Sequence, residues 1–378
     1  MKRLVIIGAS YLQLPLILKA KQMGLETHVF AWECGDIGEK EADYFHPISI
    51  IEKERILDEC RKIDPDGIVS IASDVAVLTV SFIADNLGLI GNDVKSSVIS
   101  TNKYLMKQAF VRNNIPCARA VLTDGISPVD LSDLKYPLIV KPTDRSGSRG
   151  VMRIDSDTED IMSYVRNAVD LSFEKKAVVE EFIEGNEYSV ECISYEGEHT
   201  LLAVTRKFTT DAPNYIETAH IEPSGLDPDM VMKVERTVKA ALDALEIKYG
   251  ASHSEIRINN KGEVFVIEVG ARMGGDMIGS TLVRLSTGYD FVKAVIDVSL
   301  GNKPEVFGEK MRTNAAIRFI LDSEDVKVYD RLLKDDPEMI VEASVEREVT
   351  GNVTDSSTRK GYFIIASDDR KKIMDYLP

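Results

Sequence analysis

Residues 264–269, V-F-V-I-E-V, are apolar at every position but one. A run apolar on both faces reads as a strand buried on both sides. A carboxylate inside such a strand needs a partner, because an unpaired buried charge is costly. Glu268 is that carboxylate, so the stretch implies both a sheet and something for the sheet to hold. The wider segment 253–276, H-S-E-I-R-I-N-N-K-G-E-V-F-V-I-E-V-G-A-R-M-G-G-D, reads as a β-hairpin turning at Asn259–Gly262. A two-residue loop at Asn260-Lys261 would set Asn259 opposite Gly262, Arg257 opposite Val264 and His253 opposite Glu268. On that register Glu255 and Glu268 share a face as diagonal neighbours, roughly 7–8 Å apart at the backbone. Two flexible carboxylates so placed can grip one cation or a close pair. Hard oxygen ligands at this spacing suit Mg²⁺ (Mn²⁺ being the alternative), with substrate phosphates completing the shell. Most hairpin glutamates are simply solvated; the apolar setting of Glu268 separates it from those. Arg272 lies within the same segment, and Gly274-Gly275 lets the chain approach a ligand closely.

The rest of the composition narrows the partners. The net charge of −16 leaves no basic face to neutralise phosphodiesters, which argues against nucleic acid. A small anionic ligand needs only a local positive pocket. No apolar run approaches the ~20 residues of a membrane span. The N-terminal apolar run is too short for a signal peptide and ends in a turn, so a cytoplasmic protein is expected. The cysteines, Cys34, Cys60, Cys117 and Cys192, and the histidines, His28, His46, His199, His220 and His253, are scattered. A disulfide framework and a zinc site are therefore not expected.

Taken in order, R-L-V-I-I-G at 3–8 reads as a buried strand, 12–23 as a helix stopped by Gly24, and E-T-H-V-F-A-W as a second strand. This start is doubly wound α/β. The turn G-A-S-Y-L-Q lacks the dinucleotide glycine fingerprint. Helices are expected at 51–64 and 75–87, with Asp74 at a strand's C-terminal end, where open sheets place ligands, and also placed to cap the adjoining helix. The first domain closes near residue 97.

From Asn102 the character changes. A helix ends at Asn114. Lys141 then ends an apolar strand before the loop of Arg145, Ser146, Gly147, Ser148, Arg149 and Gly150, whose small residues and charges suit an anion. A helix is expected at 157–170. A-V-V-E-E-F-I-E-G-N-E-Y-S-V then forms strand, turn and strand. Its apolar positions could wall an adenine, and a carboxylate further on could take ribose hydroxyls. Residues 203–223 lack periodicity and read as a loop-rich active-site segment containing His220. Helices come next at 228–247, 287–299 and near 325–335, and residues 312–378 read as a small closing α+β lobe.

This order of motifs resembles the ATP-grasp superfamily across nearly the whole chain. The features that carry it are the strand-end lysine before a Ser/Gly loop, the E-E-F-I hinge with a glutamate six residues beyond its second acid, and the glutamate pair thirteen apart. The resemblance implies an N-terminal doubly wound parallel-sheet domain (1–97), a two-lobed ATP-grasp domain (98–310, small lobe about 115–185, large lobe about 186–310) and a C-terminal α+β lobe (311–378). It implies ATP and Mg²⁺. Lys103 and Lys141 would contact phosphates, and Ser146, Gly147, Ser148 and Gly150 would form a mobile phosphate lid. Glu181 and Ile183 would offer backbone groups to adenine, with Glu180 and Phe182 beside them and Glu187 on the ribose. Glu255 and Glu268 would be the metal ligands. The family's E-x-N asparagine is replaced by Gly270. The form E-V-G-A-R-M-G-G, with His220 in E-T-A-H-I-E-P, resembles the branch of L-amino acid ligases and carnosine synthase. There Arg272 would bind a substrate carboxylate or the acyl phosphate, His220 would line the same site, and Asp276 would shape the second substrate's pocket, an acid that could favour a cationic or amino-bearing substrate.

The expected activity is ADP-forming ligation: a small carboxylate is activated as an acyl phosphate and attacked by an amine. Homodimers are common in the superfamily. Three rivals make different predictions. Carboxylases and carbamoyl-phosphate-synthase-like enzymes activate bicarbonate. A non-catalytic nucleotide binder would hold ATP without turnover. A nicotinamide oxidoreductase would need the missing glycines.

Overall fold

The computed structural model describes residues 1–157, 160–210, 212, 215–305 and 313–378. Four parallel strands form the first sheet: β1 (Arg3–Ile7), β2 (Glu26–Phe30), β3 (Tyr44–His46) and β4 (Gly67–Val69), in the order β3-β2-β1-β4. Strands β1, β2 and β4 are buried almost throughout, the edge strand β3 is not, and helices Leu14–Gln22, Lys53–Ile63 and Asp74–Leu87 accompany them. This is the expected doubly wound start. The helix at 74–87 is capped by Ser73, whose hydroxyl accepts from the Ala76 amide. Asp74 is thereby released from the capping role expected for it. A further helix, Val94–Thr101, precedes the helix Lys103–Arg112.

A second, four-stranded sheet in the order β5-β8-β6-β7 forms the small lobe: β5 (Ala120–Thr123), β6 (Leu138–Pro142), β7 (Met152–Ile154) and β8 (Ala177–Glu181). Helix Ile161–Leu171 packs on it; the expected start at 157 runs into residues 158 and 159, outside the described set. The third sheet has eight antiparallel strands: β9 (Asn186–Tyr195), β10 (Glu198–Thr209), β11 (Glu217–Glu222), β12 (Gly250–Ile258), β13 (Val264–Gly270), β14 (Asn314–Phe319), β15 (Ile340–Val345) and β16 (Gly361–Ser367). Their order is β13-β12-β9-β10-β11-β14-β16-β15. The C-terminal strands thus extend the sheet that carries the hairpin, with β14 pairing on β11. The boundary proposed at 310/311 lies outside the described residues.

Two expectations are corrected. Residues 203–223 are largely strand, β10 and β11, not loop. Their alternation is hidden because Lys207, Glu222 and His220 point inward and are buried, so charged residues stand where period-two reading looks for apolar ones. Of this segment, residues 211, 213 and 214 lie outside the described set.

The hairpin register also differs. Asn259 and Glu263 close a three-residue turn, with the Gly262 amide on the Asn259 carbonyl at 2.9 Å. The Asn259 side chain accepts from the Lys261 and Glu263 amides, and Gly262 takes a left-handed φ of 70°. A register shift at Ile267 then adds a second residue. Together they bring Glu255 directly opposite Glu268, and His253 opposite Gly270. The two carboxylates are closer neighbours than the tight-turn register allows.

One apolar core runs from the first sheet through helix Phe291–Ser299 into the large sheet, joining Leu4, Ile6 and Val29 to Val292, Ile296 and Ile193. The first domain and the large lobe are therefore fixed against each other by shared packing. The cleft lies where they meet the small lobe.

Candidate active site

A cleft is lined by residues of the small-lobe sheet and the large sheet, with Asp74 contributed by a helix of the first domain. Of the residues named from sequence, Lys103, Lys141, Ser146, Gly147, Ser148, Glu180, Glu181, Phe182, Ile183, Glu187, Glu255, Glu268 and Arg272 line it. His220, Arg149 and Asp276 line instead an adjoining cavity of about 670 Å³, and Gly150 lines neither, its α-carbon turned toward Pro142 and Leu171. The two spaces share Asp74, Ser146, Gly147, Glu217, Glu255 and Arg272 as a common wall, with His253 at the junction.

The charges at the cleft are organised as ammonium groups held among carboxylates. Lys103, at the start of its helix, places Nζ 2.8 Å from Glu268 and 2.6 Å from the Arg145 carbonyl. The helix therefore ties the metal-type carboxylate to the Ser/Gly loop. Lys207 on β10 lies 2.7 Å from Glu255, 3.1 Å from Glu187 and 3.5 Å from Glu217. Burial raises the Glu255 pKa, but Lys207 and His253 more than reverse this and hold it well below its ordinary value. Burial disfavours the Lys207 ammonium, and Glu255, Glu187 and Glu217 overcome it, holding the lysine well above its ordinary range.

Beneath the small-lobe strands, Lys141 pairs with Glu180 at 2.5 Å. Lys107 approaches the same carboxylate at 3.3 Å. Burial opposes both charges; Lys107 and Lys141 pull the Glu180 carboxyl down, and Glu180 and Glu268 push Lys141 up. Lys107 escaped the sequence reading. The signal was available: it stands four residues after Lys103 on one helix, hence on the same face.

One end of the cleft is built from β8 and the residues between β8 and β9. The Phe182 ring carries Arg153 at 4.5 Å and Arg257 at 4.6 Å on its faces, with Tyr215 tilted against it at 5.6 Å. Arg257 also donates to the Ile183 carbonyl at 3.1 Å and to Glu187 at 2.8 Å. The Glu181 amide donates to the Arg119 carbonyl, and its carboxylate accepts from the Lys135 amide.

At the inner end Arg272 donates through Nε and Nη2 to both oxygens of Asp74, each at 2.8 Å. This fork joins the hairpin to the first domain. Behind Glu255, His253 Nδ1 hydrogen-bonds Glu191, whose other oxygen accepts from the Gly274 amide at 3.0 Å. A Cβ at Gly274 would stand 2.7 Å from both groups, so the contact requires glycine. Burial lowers the His253 pKa and Glu191 more than compensates, raising it to about 9. Glu191 was also missed, although it interrupts the apolar run of β9 as Glu268 interrupts β13.

No group of three or more potential metal ligands occurs among the described residues. A pair of facing carboxylates nevertheless fits Mg²⁺, which takes one or two carboxylates and leaves remaining positions to phosphate and water. The ammonium groups of Lys103 and Lys207 now contact these two carboxylates, which marks them as places where positive charge is held.

Residues 134–280 match the ATP-grasp domain family, so the chain carries an ATP-grasp domain. The alanine–anticapsin ligase of Bacillus subtilis is 27% identical over 363 residues, covering 81% of this chain and 76% of that protein. The C-terminal section of the carbamoyl phosphate synthase large chain of Aquifex aeolicus is 24% identical, covering 70% of this chain and 50% of that protein. Among solved structures, the L-amino acid ligase of Bacillus licheniformis superposes with a TM-score of 0.80 at 23% identity, covering 100% of this chain and 96% of that one. Phosphoribosylglycinamide synthetase from Anaerococcus prevotii gives 0.77 at 23%, covering 99% and 96%. These structures share the fold of this chain. Among the described residues no helix is long and apolar enough to cross a membrane.

Proposed function

We propose that the protein is an ATP-dependent, ADP-forming carboxylate–amine ligase that activates a small carboxylate, an amino acid, as an acyl phosphate. One observation carries the choice of substrate. The cleft with the paired glutamates opens across a common wall into a cavity of about 670 Å³. That space suits two small organic substrates better than bicarbonate alone. The similarity to an alanine–anticapsin ligase supports the same choice.

In this reading adenine lies beside Phe182 and Ile183, and Glu187 takes the ribose. Lys103, Lys141 and the Ser146–Gly150 loop hold the phosphates. Glu255 and Glu268 hold Mg²⁺, which when bound neutralises and orients the phosphate oxygens. Phosphoryl transfer depends on positioning and charge neutralisation. The substrate carboxylate oxygen forms a bond to the γ-phosphorus as the bond from that phosphorus to the bridging oxygen of ADP breaks. Arg272, fixed by Asp74, faces the developing charge from the common wall. An amine nitrogen then bonds to the acyl carbon, phosphate leaves, and the ammonium proton is lost. Burial keeps the His220 pKa below its ordinary value, so His220 lines the second cavity as a neutral imidazole. The domain limits 1–97, 98–310 and 311–378 belong to the same proposal.

Phosphate release from Mg-ATP against single amino acids, pairs of them, and bicarbonate, with mass spectrometry of products, tests it. Release that needs an amino acid and yields a condensed mass is expected. Release driven by bicarbonate alone would move the protein to the carboxylase class.

A further inference from the structure

The second cavity ends at a charge pair that the sequence did not suggest. Asp276, expected to be free to receive a cationic group, is taken by Arg359 from the turn before β16. Arg359 Nη1 donates to one carboxylate oxygen at 2.9 Å and Nη2 to the other at 2.5 Å. Arg359 Nε is also engaged, on the Ser356 carbonyl at 2.8 Å. The guanidinium lies 3.7 Å over the Phe319 ring, and its side chain is 7% exposed. His220 Nε2 stands 3.5 Å from the same carboxylate.

Arg359 is held at its Nε, at both terminal nitrogens and over a ring face. A guanidinium held as a fork and stacked on a ring has little freedom left, unlike a lysine ammonium. Asp276 and Met277 both adopt left-handed backbone, with φ of 51° and 59°. Two successive non-glycine residues in that region are strained, and such strain persists only where surroundings fix it. The strain aims the Asp276 carboxylate at Arg359. What the cavity meets at Asp276 is a charge-compensated, planar, ring-backed platform; Tyr11, Ile278 and Tyr362 line the same cavity, as do the carboxylates of Glu217, which accepts from Ser356 and lies 3.5 Å from Lys207, and of Glu346.

We infer that Arg359, by occupying Asp276, makes the far end of the second cavity select amino acids with uncharged side chains and exclude cationic ones. A lysine-like side chain would bury its ammonium against a carboxylate already paired and a guanidinium of like charge. An apolar chain of equal length would lie against the platform and the tyrosines. Arg359 is thus a specificity-determining residue. Calling the ligand a substrate rests on the ligase reading; the selectivity itself does not.

The test compares L-norleucine with L-lysine, which differ mainly by the terminal ammonium. Binding is measured calorimetrically on the full chain saturated with Mg²⁺ and a non-hydrolysable ATP analogue. The wild type should prefer norleucine by at least about tenfold. Arg359→Met should gain lysine affinity by about tenfold or more, because Asp276 is uncovered. Asp276→Asn in that background should remove the gain. Arg359→Lys, which restores a cation, should keep the wild-type order even if Arg359→Met folds poorly. The inference is overturned if the wild type binds lysine as well as norleucine, if neither binds, or if the folded Arg359→Met keeps the wild-type ratio. Binding selectivity as stated, with no condensed product from any pair, would instead remove the ligase reading and leave this one standing.

Discussion

The two ends of the joined cavities hold their buried charges in different ways. At the glutamate pair the cations are two lysines and His253, and Lys207 is spread over three carboxylates at 2.7, 3.1 and 3.5 Å. At the far end the cation is Arg359, committed to one carboxylate through two parallel bonds. An ammonium on a flexible stem is a point charge that can give up one carboxylate and keep another. A guanidinium fork cannot without losing its geometry. The first arrangement suits a place where positive charge is to be exchanged as nucleotide and metal arrive. The second suits a wall.

Breaking the pair at the exchangeable end should have the largest effect. Glu268→Gln keeps shape and removes charge, and turnover should fall by about 10²–10³-fold or more while circular dichroism shows the fold retained. Wild-type-like turnover would end the metal assignment. The comparison also predicts that Mg²⁺ should shift the thermal midpoint of the wild type in the presence of nucleotide far more than that of this variant.

Glu180 lies between Lys107 and Lys141. Glu180→Gln leaves two ammonium groups buried with their counter-charge removed, which costs about 3–5 kcal/mol. Denaturant unfolding reads it. A loss below about 1 kcal/mol, on the order of a surface pair, would mean that water already reaches the site.

Glu222 makes the opposite case, a buried carboxyl served by two hydroxyls, Thr205 at 2.6 Å and Ser286 at 2.8 Å. Burial raises its pKa to about 8, against the direction of both hydrogen bonds. Its folded value thus exceeds the unfolded one. The stability it contributes is complete below the unfolded value near 4.5, and falls by about 1.4 kcal/mol per pH unit as pH rises toward the folded value. Glu222→Gln does not titrate. The midpoint difference between variant and wild type should therefore move in the variant's favour from about pH 6 to about pH 9. A constant difference would show that Glu222 is ionised in the folded protein throughout.

These residues also show what the sequence could reveal. Glu268, Lys141 and the Ser/Gly loop were legible because each signal lies within one strand or its adjoining turn. A charged residue in an apolar run is visible without knowing the fold. Glu191 and Lys107 carried signals of the same local kind and were passed over. The Asp276–Arg359 fork could not be read, since its members are 83 residues apart and Arg359 sits in a polar turn like many others. The parallel start and the strand–helix order came from periodicity. The joining of β14 to β11 did not, because strand partners across such separations leave no periodic mark. Register was the finest loss: one extra turn residue and one bulge decide whether the glutamates face each other.

That register offers the smallest and most discriminating effect. Asn259→Ala removes a carboxamide accepting from the Lys261 and Glu263 amides at 3.0 and 2.9 Å. The loss should be about 1 kcal/mol, on a turn four residues along the strand from Glu255. If the bulge at Ile267 and the pairing of β12 with β9 hold the register, the Mg²⁺ dependence of ATP turnover should be unchanged. If the turn sets it, β13 can slip by one residue, and a one-residue slip sends every side chain to the other face. The Mg²⁺ concentration for half-maximal turnover would then rise together with the loss of stability. A rise in that concentration would place the control of the glutamate pair in the turn; an unchanged value would place it in the bulge, one residue from Glu268.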